Sequence, residues 1–252
     1  MTAPIKVFWQ PWCTSCLRVR EFLSSRGVGF ESINVLEDEG AMAELGRLGA
    51  RSVPVVSRGE EFVFAQSIRD VVGFLGLDAE PGPELSPRQL VERLDVVLAA
   101  AGRYTLQMPE SELETQMLNR PRSYRALLYH IFRIPDAFLE MTRGAGLTYE
   151  MLTAQPPAAL RTTADLAAYG EGVRHGVSAW WRGRDDKTCA ERVETYYGAQ
   201  PLHEVLERTT WHPCQHVRQL MSLLERQGIR PDRPLTAEDL AGLPLPEGVW
   251  DE

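Results

Sequence analysis

Residues 4–16 read PIKVFWQPWCTSC, and this stretch sets the first part of the fold. Pro4 to Gln10 is a short run of apolar and aromatic side chains, the length and texture of a buried strand. Pro11 and Trp12 turn the chain away. From Thr14 to Arg26 the apolar residues Leu17, Phe22 and Leu23 then recur at helical spacing, up to a stop at Gly27. The motif Cys13-Thr14-Ser15-Cys16 therefore joins a strand to a helix, with its two thiols one helical turn apart. At a helix N-terminus unpaired backbone N–H groups and the helix dipole favour a thiolate, the form that attacks a disulfide. A second thiol one turn later resolves the resulting mixed disulfide by intramolecular attack. Cys13 reads as the nucleophile and Cys16 as the resolving thiol. A CxxC motif also serves as half of a zinc site, but the other two cysteines, Cys189 and Cys214, are far apart and form no second pair.

Further along, Val28 to Val35 reads as a second strand and Ala41 to Leu48 as a helix. Val53 to Ser57 and Phe62 to Phe64 read as two short strands around Arg58-Gly59, and a last helix runs from about Ser67 to Leu75. The order βαβαββα predicts a small α/β domain with a central sheet. Within it, Ser52-Val53-Pro54-Val55-Val56 places a proline at the opening of a buried strand, where its missing N–H demands a reason.

With these features in place, and with Phe22-Leu23-Ser24-Ser25-Arg26-Gly27-Val28 before the second strand, residues 5–77 resemble the glutaredoxin family. The resemblance implies a thioredoxin-like fold and thiol–disulfide exchange. It also implies a cis bond before Pro54, which would lay Val53 and Pro54 beside the active thiol, with Trp12 part of the same thiol-binding surface. Its expected reductant is glutathione or another low-molecular-weight thiol, and its expected partner a small thiol or a protein disulfide. One feature departs from the family. The Gly-Gly pair common before the last helix is replaced by Phe64-Ala65-Gln66-Ser67, although Ser67 can still cap that helix and leave N–H groups for a carboxylate.

Residues 78–87 (DAEPGPELSP), with Pro81, Gly82, Pro83 and Pro87, have the composition of a linker. Beyond it the periodicity is helical. Pro87 to Tyr104, Ser123 to Thr142, Ala164 to Trp181 and Leu202 to Gln227 are four amphipathic segments, with Pro135 expected to bend or end the second. They predict an up-down helical bundle with some long crossovers. The expected plan is thus residues 1–77, a linker at 78–87, a bundle at 88–228 and a proline-rich surface tail at 229–252.

Trp211-His212-Pro213-Cys214-Gln215-His216 sets two histidines four residues apart. Both fall on the stripe Val205, Thr209, His212, His216, Leu220, Leu223, which periodicity turns toward the core. His130, between Leu127 and Ile134, lies on the inward side of the second helix. Three imidazoles in a bundle interior each need a hydrogen bond or a ligand, and one divalent metal serves all three. An HxxxH pair alone is more often two hydrogen-bonded core histidines, and Pro213 between them threatens the helical ladder. Cys214, His175, His203 and Trp180-Trp181 read as packing or surface residues.

The segment Arg125-Ala126-Leu127-Leu128-Tyr129-His130-Ile131, followed by His212-x-x-x-His216-Val217-Arg218-Gln219-Leu220, is similar to the DinB/YfiT-like family over residues 88–227. That resemblance implies a four-helix bundle in which His130, His212 and His216 bind a divalent metal: zinc, nickel or iron. It further implies thiol-dependent transferase chemistry and a homodimer as one expected state.

Net charge is −8, and neither part is basic: residues 1–77 carry 8 Lys/Arg against 9 Asp/Glu. A nucleic-acid partner is therefore not expected. No apolar run approaches a membrane span, and the N-terminal residues enter a strand rather than a leader, so the expected location is the cytoplasm. Taken together, the expected protein is an α/β plus all-α enzyme. A glutaredoxin-like thiol–disulfide oxidoreductase is joined to a metal-binding bundle with thiol-dependent transferase chemistry. Two rivals are a redox domain delivered to a protein client by a non-catalytic binding or dimerisation module, and a tethered metal-dependent hydrolase.

Overall fold

The computed structural model describes residues 3–79, 82–117 and 122–250. The chain divides into two compact units. One comprises residues 1–82 with 246–252, and the other residues 83–245.

The first unit holds β1 (Ile5–Trp9), α1 (Thr14–Ser25), β2 (Glu31–Asn34), α2 (Ala41–Leu48), β3 (Val55–Arg58), β4 (Glu61–Phe64) and α3 (Ile68–Leu75). Its sheet is four-stranded and mixed, in the order β2-β1-β3-β4. β2 runs parallel to β1, while β3 is antiparallel to both β1 and β4. Strand alternation sorts the core into two layers. Val7 and Val56 pack with Val19 and Leu23 of α1 and with Val71 and Val72 of α3. Phe8 and Val55 face the other way, onto Ala41 and Leu45 of α2. The Val53–Pro54 bond is cis.

In the second unit the bundle is built from α4 (Pro87–Gln107), α5 (Tyr124–Glu140), α7 (Thr163–Gly183) and α8 (Leu202–Arg226). Periodicity also passed over a short helix α6 (Tyr149–Thr153), a hairpin of β5 (Arg192–Thr195) and β6 (Gly198–Pro201), and a turn of helix α9 (Ala237–Leu240). These pieces are too short for the helical period to register. α4 and α5 are consecutive yet barely touch; each packs instead against α7 and α8. The two helices α4 and α5, next to each other in sequence, thus lie across the bundle rather than side by side. Close approach of α7 to α5 requires Gly170, where a Cβ would stand 2.4 Å from the Phe132 ring.

Neither helical proline ends its helix. α5 continues through Pro135 and α8 through Pro213. The linker and the tail are also redrawn. Ser86 and Gln89 form a capping box that draws residues 86–87 into the start of α4. Residues 229–245 belong to the bundle, where the Tyr104 hydroxyl and the Gln107 amide of α4 hold the backbone of Arg230, Asp232, Arg233 and Leu235. Residues 246–250 join the first unit. No described helix is long and apolar enough to cross a membrane.

Candidate functional site: a cysteine pair and a histidine triad

Strand register brings the redox residues to one end of the sheet. β1 ends at Trp9 and runs out into the turn that carries Cys13. Because β3 is antiparallel and pairs Val55 with Phe8, Val53 and Pro54 enter the sheet at that same end. β4 returns there, with Phe64 opposite Val55, so Ala65, Gln66 and Ser67 follow directly beside Pro54. Ala65 N donates to Pro54 O at 2.9 Å and Gln66 Nε2 to Val53 O at 3.2 Å.

Cys13 is the N-cap of α1, and its Sγ accepts from Cys16 N at 3.3 Å. The two cysteines are disulfide-bonded, with Cα atoms 5.1 Å apart. Their environments differ. Cys16 is wholly buried, whereas Cys13 is half-buried and keeps a face toward solvent. Trp12, just before it, has φ +63°, the left-handed region that bulky side chains seldom adopt. Ser67 Oγ caps α3 by accepting from Asp70 N at 3.2 Å.

In the bundle, His130 comes from α5 and His212 and His216 from α8, and their ligating atoms all lie within 4.8 Å of one another. Ring centroids are 5.0 to 5.6 Å apart. His212 and His216 are buried, and His130 is half-buried. α8 can place its pair here because it is enclosed on all sides: every residue from Val205 to Val217 is buried. Thr209 and Thr210 satisfy their hydroxyls on the helix's own carbonyls at 2.8 and 2.9 Å. The Nδ1 of His216 lies 2.7 Å from Gln219 Oε1. With that oxygen as acceptor, the ring donates from Nδ1 and keeps the Nε2 lone pair for a ligand. Three imidazoles with converging nitrogens, one already oriented by a carbonyl, fit a divalent transition metal of the zinc, nickel or iron type.

The other two thiols take no part. Burial pushes Cys214 up to about 12 and raises Cys189 as well, so both stay protonated near neutral pH. His175 is a surface partner of Glu171 at 3.0 Å, and His203 Nε2 sits 2.8 Å from Leu85 O in the first turn of α8. Three participants escaped the sequence reading. Gln219 stood one turn beyond His216, a spacing that could have revealed it. Gln66 meets Val53 only through strand pairing. Trp250 reaches Trp12, with ring centroids 4.3 Å apart, from the far end of the chain.

No curated protein matches the chain. Among solved structures it is similar to YfiT from Bacillus subtilis, described as "a probable metal-dependent hydrolase with an unusual four-helix bundle topology". Identity is 15% over 61% of this chain and 95% of that one, with a TM-score of 0.44. The family model described as Glutaredoxin matches residues 5–63. Residues 5–63, with their mixed sheet and the cysteine pair heading α1, form a glutaredoxin domain, which supports a thiol redox function.

Proposed function

We propose that the chain is a thiol–disulfide oxidoreductase acting through Cys13, joined to a bundle that binds a divalent metal for thiol-dependent transferase chemistry. The observation that carries the redox half is the asymmetry of the pair: a half-buried sulfur at the head of α1, bonded to one that is wholly buried. In the reduced protein the Cys13 thiolate attacks one sulfur of a substrate disulfide. A Cys13–substrate mixed disulfide forms and the other sulfur leaves as a thiolate. Cys16 then attacks Cys13 Sγ, restoring the Cys13–Cys16 disulfide and expelling the second substrate thiolate. Two electrons pass to the substrate. Two equivalents of a low-molecular-weight thiol such as glutathione return the protein to the dithiol.

For the second half, His130, His212 and His216 would hold the metal, which when bound stabilises a thiol sulfur as thiolate. Gln219 holds the His216 ring in place, and the walls of α5 and α8 keep bulk water from the two buried imidazoles. Support for this half is the convergence of the three side chains.

Reduction of insulin or of a glutathione mixed disulfide tests the redox half. Cys13→Ser is expected to abolish it, and unchanged turnover would overturn the assignment. Elemental analysis tests the other half, with about one equivalent of metal expected and lost in His212→Ala. Metal-free protein whose stability ignores chelators would favour a non-catalytic binding module. Hydrolysis by the metal-loaded chain without any thiol would favour the hydrolase reading.

A further inference from the structure

Residues 246–250 return to the redox unit and are anchored on α1. Glu247 N and Gly248 N donate to the two carboxylate oxygens of Glu21 at 2.7 and 3.0 Å. The backbone runs close at this point: a Cβ on Gly248 would lie 3.4 Å from Glu21 Oε1 and 3.6 Å from Leu17 Cδ2. From this anchor the Trp250 indole meets Trp12 edge to face, with centroids 4.3 Å apart and planes at 64°. Trp12 is the residue immediately before the nucleophile, and it is held in a left-handed conformation. A distant segment thus places a second large ring against the side chain of the residue that precedes Cys13.

We propose that Trp250 is a specificity-determining residue of the redox site. Together with Trp12 it forms an aromatic wall beside Cys13 that admits slim disulfides of small thiols and slows the disulfides of folded proteins. This rests on the redox reading above. Exchange requires the incoming sulfur to reach Cys13 nearly in line with the bond being made and broken, so its rate depends on access as well as on ionisation. Trp250 adds a second indole to the one at position 12, next to the nucleophile in sequence. Both rings and Cys13 remain half-buried rather than sealed, which makes the pair a filter and not a plug. Glu21 holds the filter in register through two backbone donors, and the edge-to-face geometry favours aromatic over aliphatic side chains at position 250.

The test uses the reduced full-length chain and reads the alkylation rate at Cys13 by mass spectrometry, with iodoacetamide as the small probe and a polyethylene-glycol maleimide as the bulky one. Trp250→Ala and Glu21→Ala are each expected to raise the bulky-to-small rate ratio by about tenfold, the lower end of the discrimination that a small change in pocket shape contributes. Trp250→Phe is expected to keep the wild-type ratio. A ratio unchanged in both alanine variants overturns the proposal, as does an equal rise with both probes. Alkylation needs no turnover, so the two readings fail separately. An altered ratio in a chain that reduces no disulfide leaves the wall and removes the redox assignment. An unaltered ratio in an active reductase removes the wall alone.

Discussion

At Cys13, reactivity follows from position more than from residue type. The same thiol group is present in Cys214, but burial in the bundle pushes that one up to about 12. Cys13 sits instead at the head of α1, where Cys16 N points at its sulfur from 3.3 Å. In the reduced protein at neutral pH, iodoacetamide is therefore expected to label Cys13 and to leave Cys189 and Cys214 unlabelled, as peptide mapping reads. Cys16→Ser should keep the first exchange step and trap the mixed disulfide, visible as a mass increase on Cys13. The imidazole of His216 is a second case. Its Nδ1 is engaged by Gln219, itself buried, so Gln219→Ala should weaken metal binding by about 10- to 100-fold while the fold persists. Competition with a chromophoric chelator measures this, and an unchanged affinity would show that the ring is held by packing alone.

Among the elements, the seam between α5 and α7 is the most constrained. Gly170 faces the Phe132 ring with no room for a methyl group, whereas a Cβ on Gly172, two residues along the same helix, would meet nothing within 4 Å. Gly170→Ala should therefore destabilise the bundle by about 1–3 kcal/mol through overpacking. Gly172→Ala should stabilise it by up to about 1 kcal/mol through helix propensity. Urea denaturation separates the two, and equal effects would mean the seam is not close-packed. α5 also carries an ionic cluster. Arg133 donates to both oxygens of Glu140, to Asp136 at 3.1 Å and to Met151 O at 2.7 Å. The hydrogen bonds from Arg133 hold the Glu140 carboxyl below its ordinary value of 4.5. When folded, the chain binds fewer protons at this site than when unfolded. The contribution to stability is present in full above pH 4.5 and fades as the pH falls through the depressed value. Glu140→Gln should flatten that acid limb in a pH series of thermal melts.

Over the whole molecule, the two units are separately compact, so their ligands should act on separate transitions. A metal bound only by the folded bundle stabilises it by mass action, about 2.7 kcal/mol at a free concentration one hundred times Kd. Scanning calorimetry with added zinc should move the transition of residues 83–245, and dithiothreitol should act on the one that contains Cys13 and Cys16. A single transition that responds to both would show one cooperative fold.

What repeats over a stretch of near neighbours was legible in the amino-acid sequence alone, whereas single short turns such as α6, the β5–β6 hairpin and α9 were not. A strand, a turn and a helix around Cys13 follow from a dozen residues, as do the order βαβαββα, four long amphipathic helices and the four-residue spacing of His212 and His216. Each of these rests on backbone sterics or on a period of 2 or 3.6, which are local properties. Closure over long stretches of chain settled the rest. That α4 lies across the bundle from α5, that His130 meets its two partners, that Gln66 holds Val53 and that Trp250 stands against Trp12 all join residues with no periodic relation to one another. Pro135 and Pro213 show the same division. Local rules allow each to bend or interrupt its helix, and the packing around α5 and α8 outweighs the missing hydrogen bond. Across Val205–Val217, where every residue of α8 is buried, there is no wet face for periodicity to reveal.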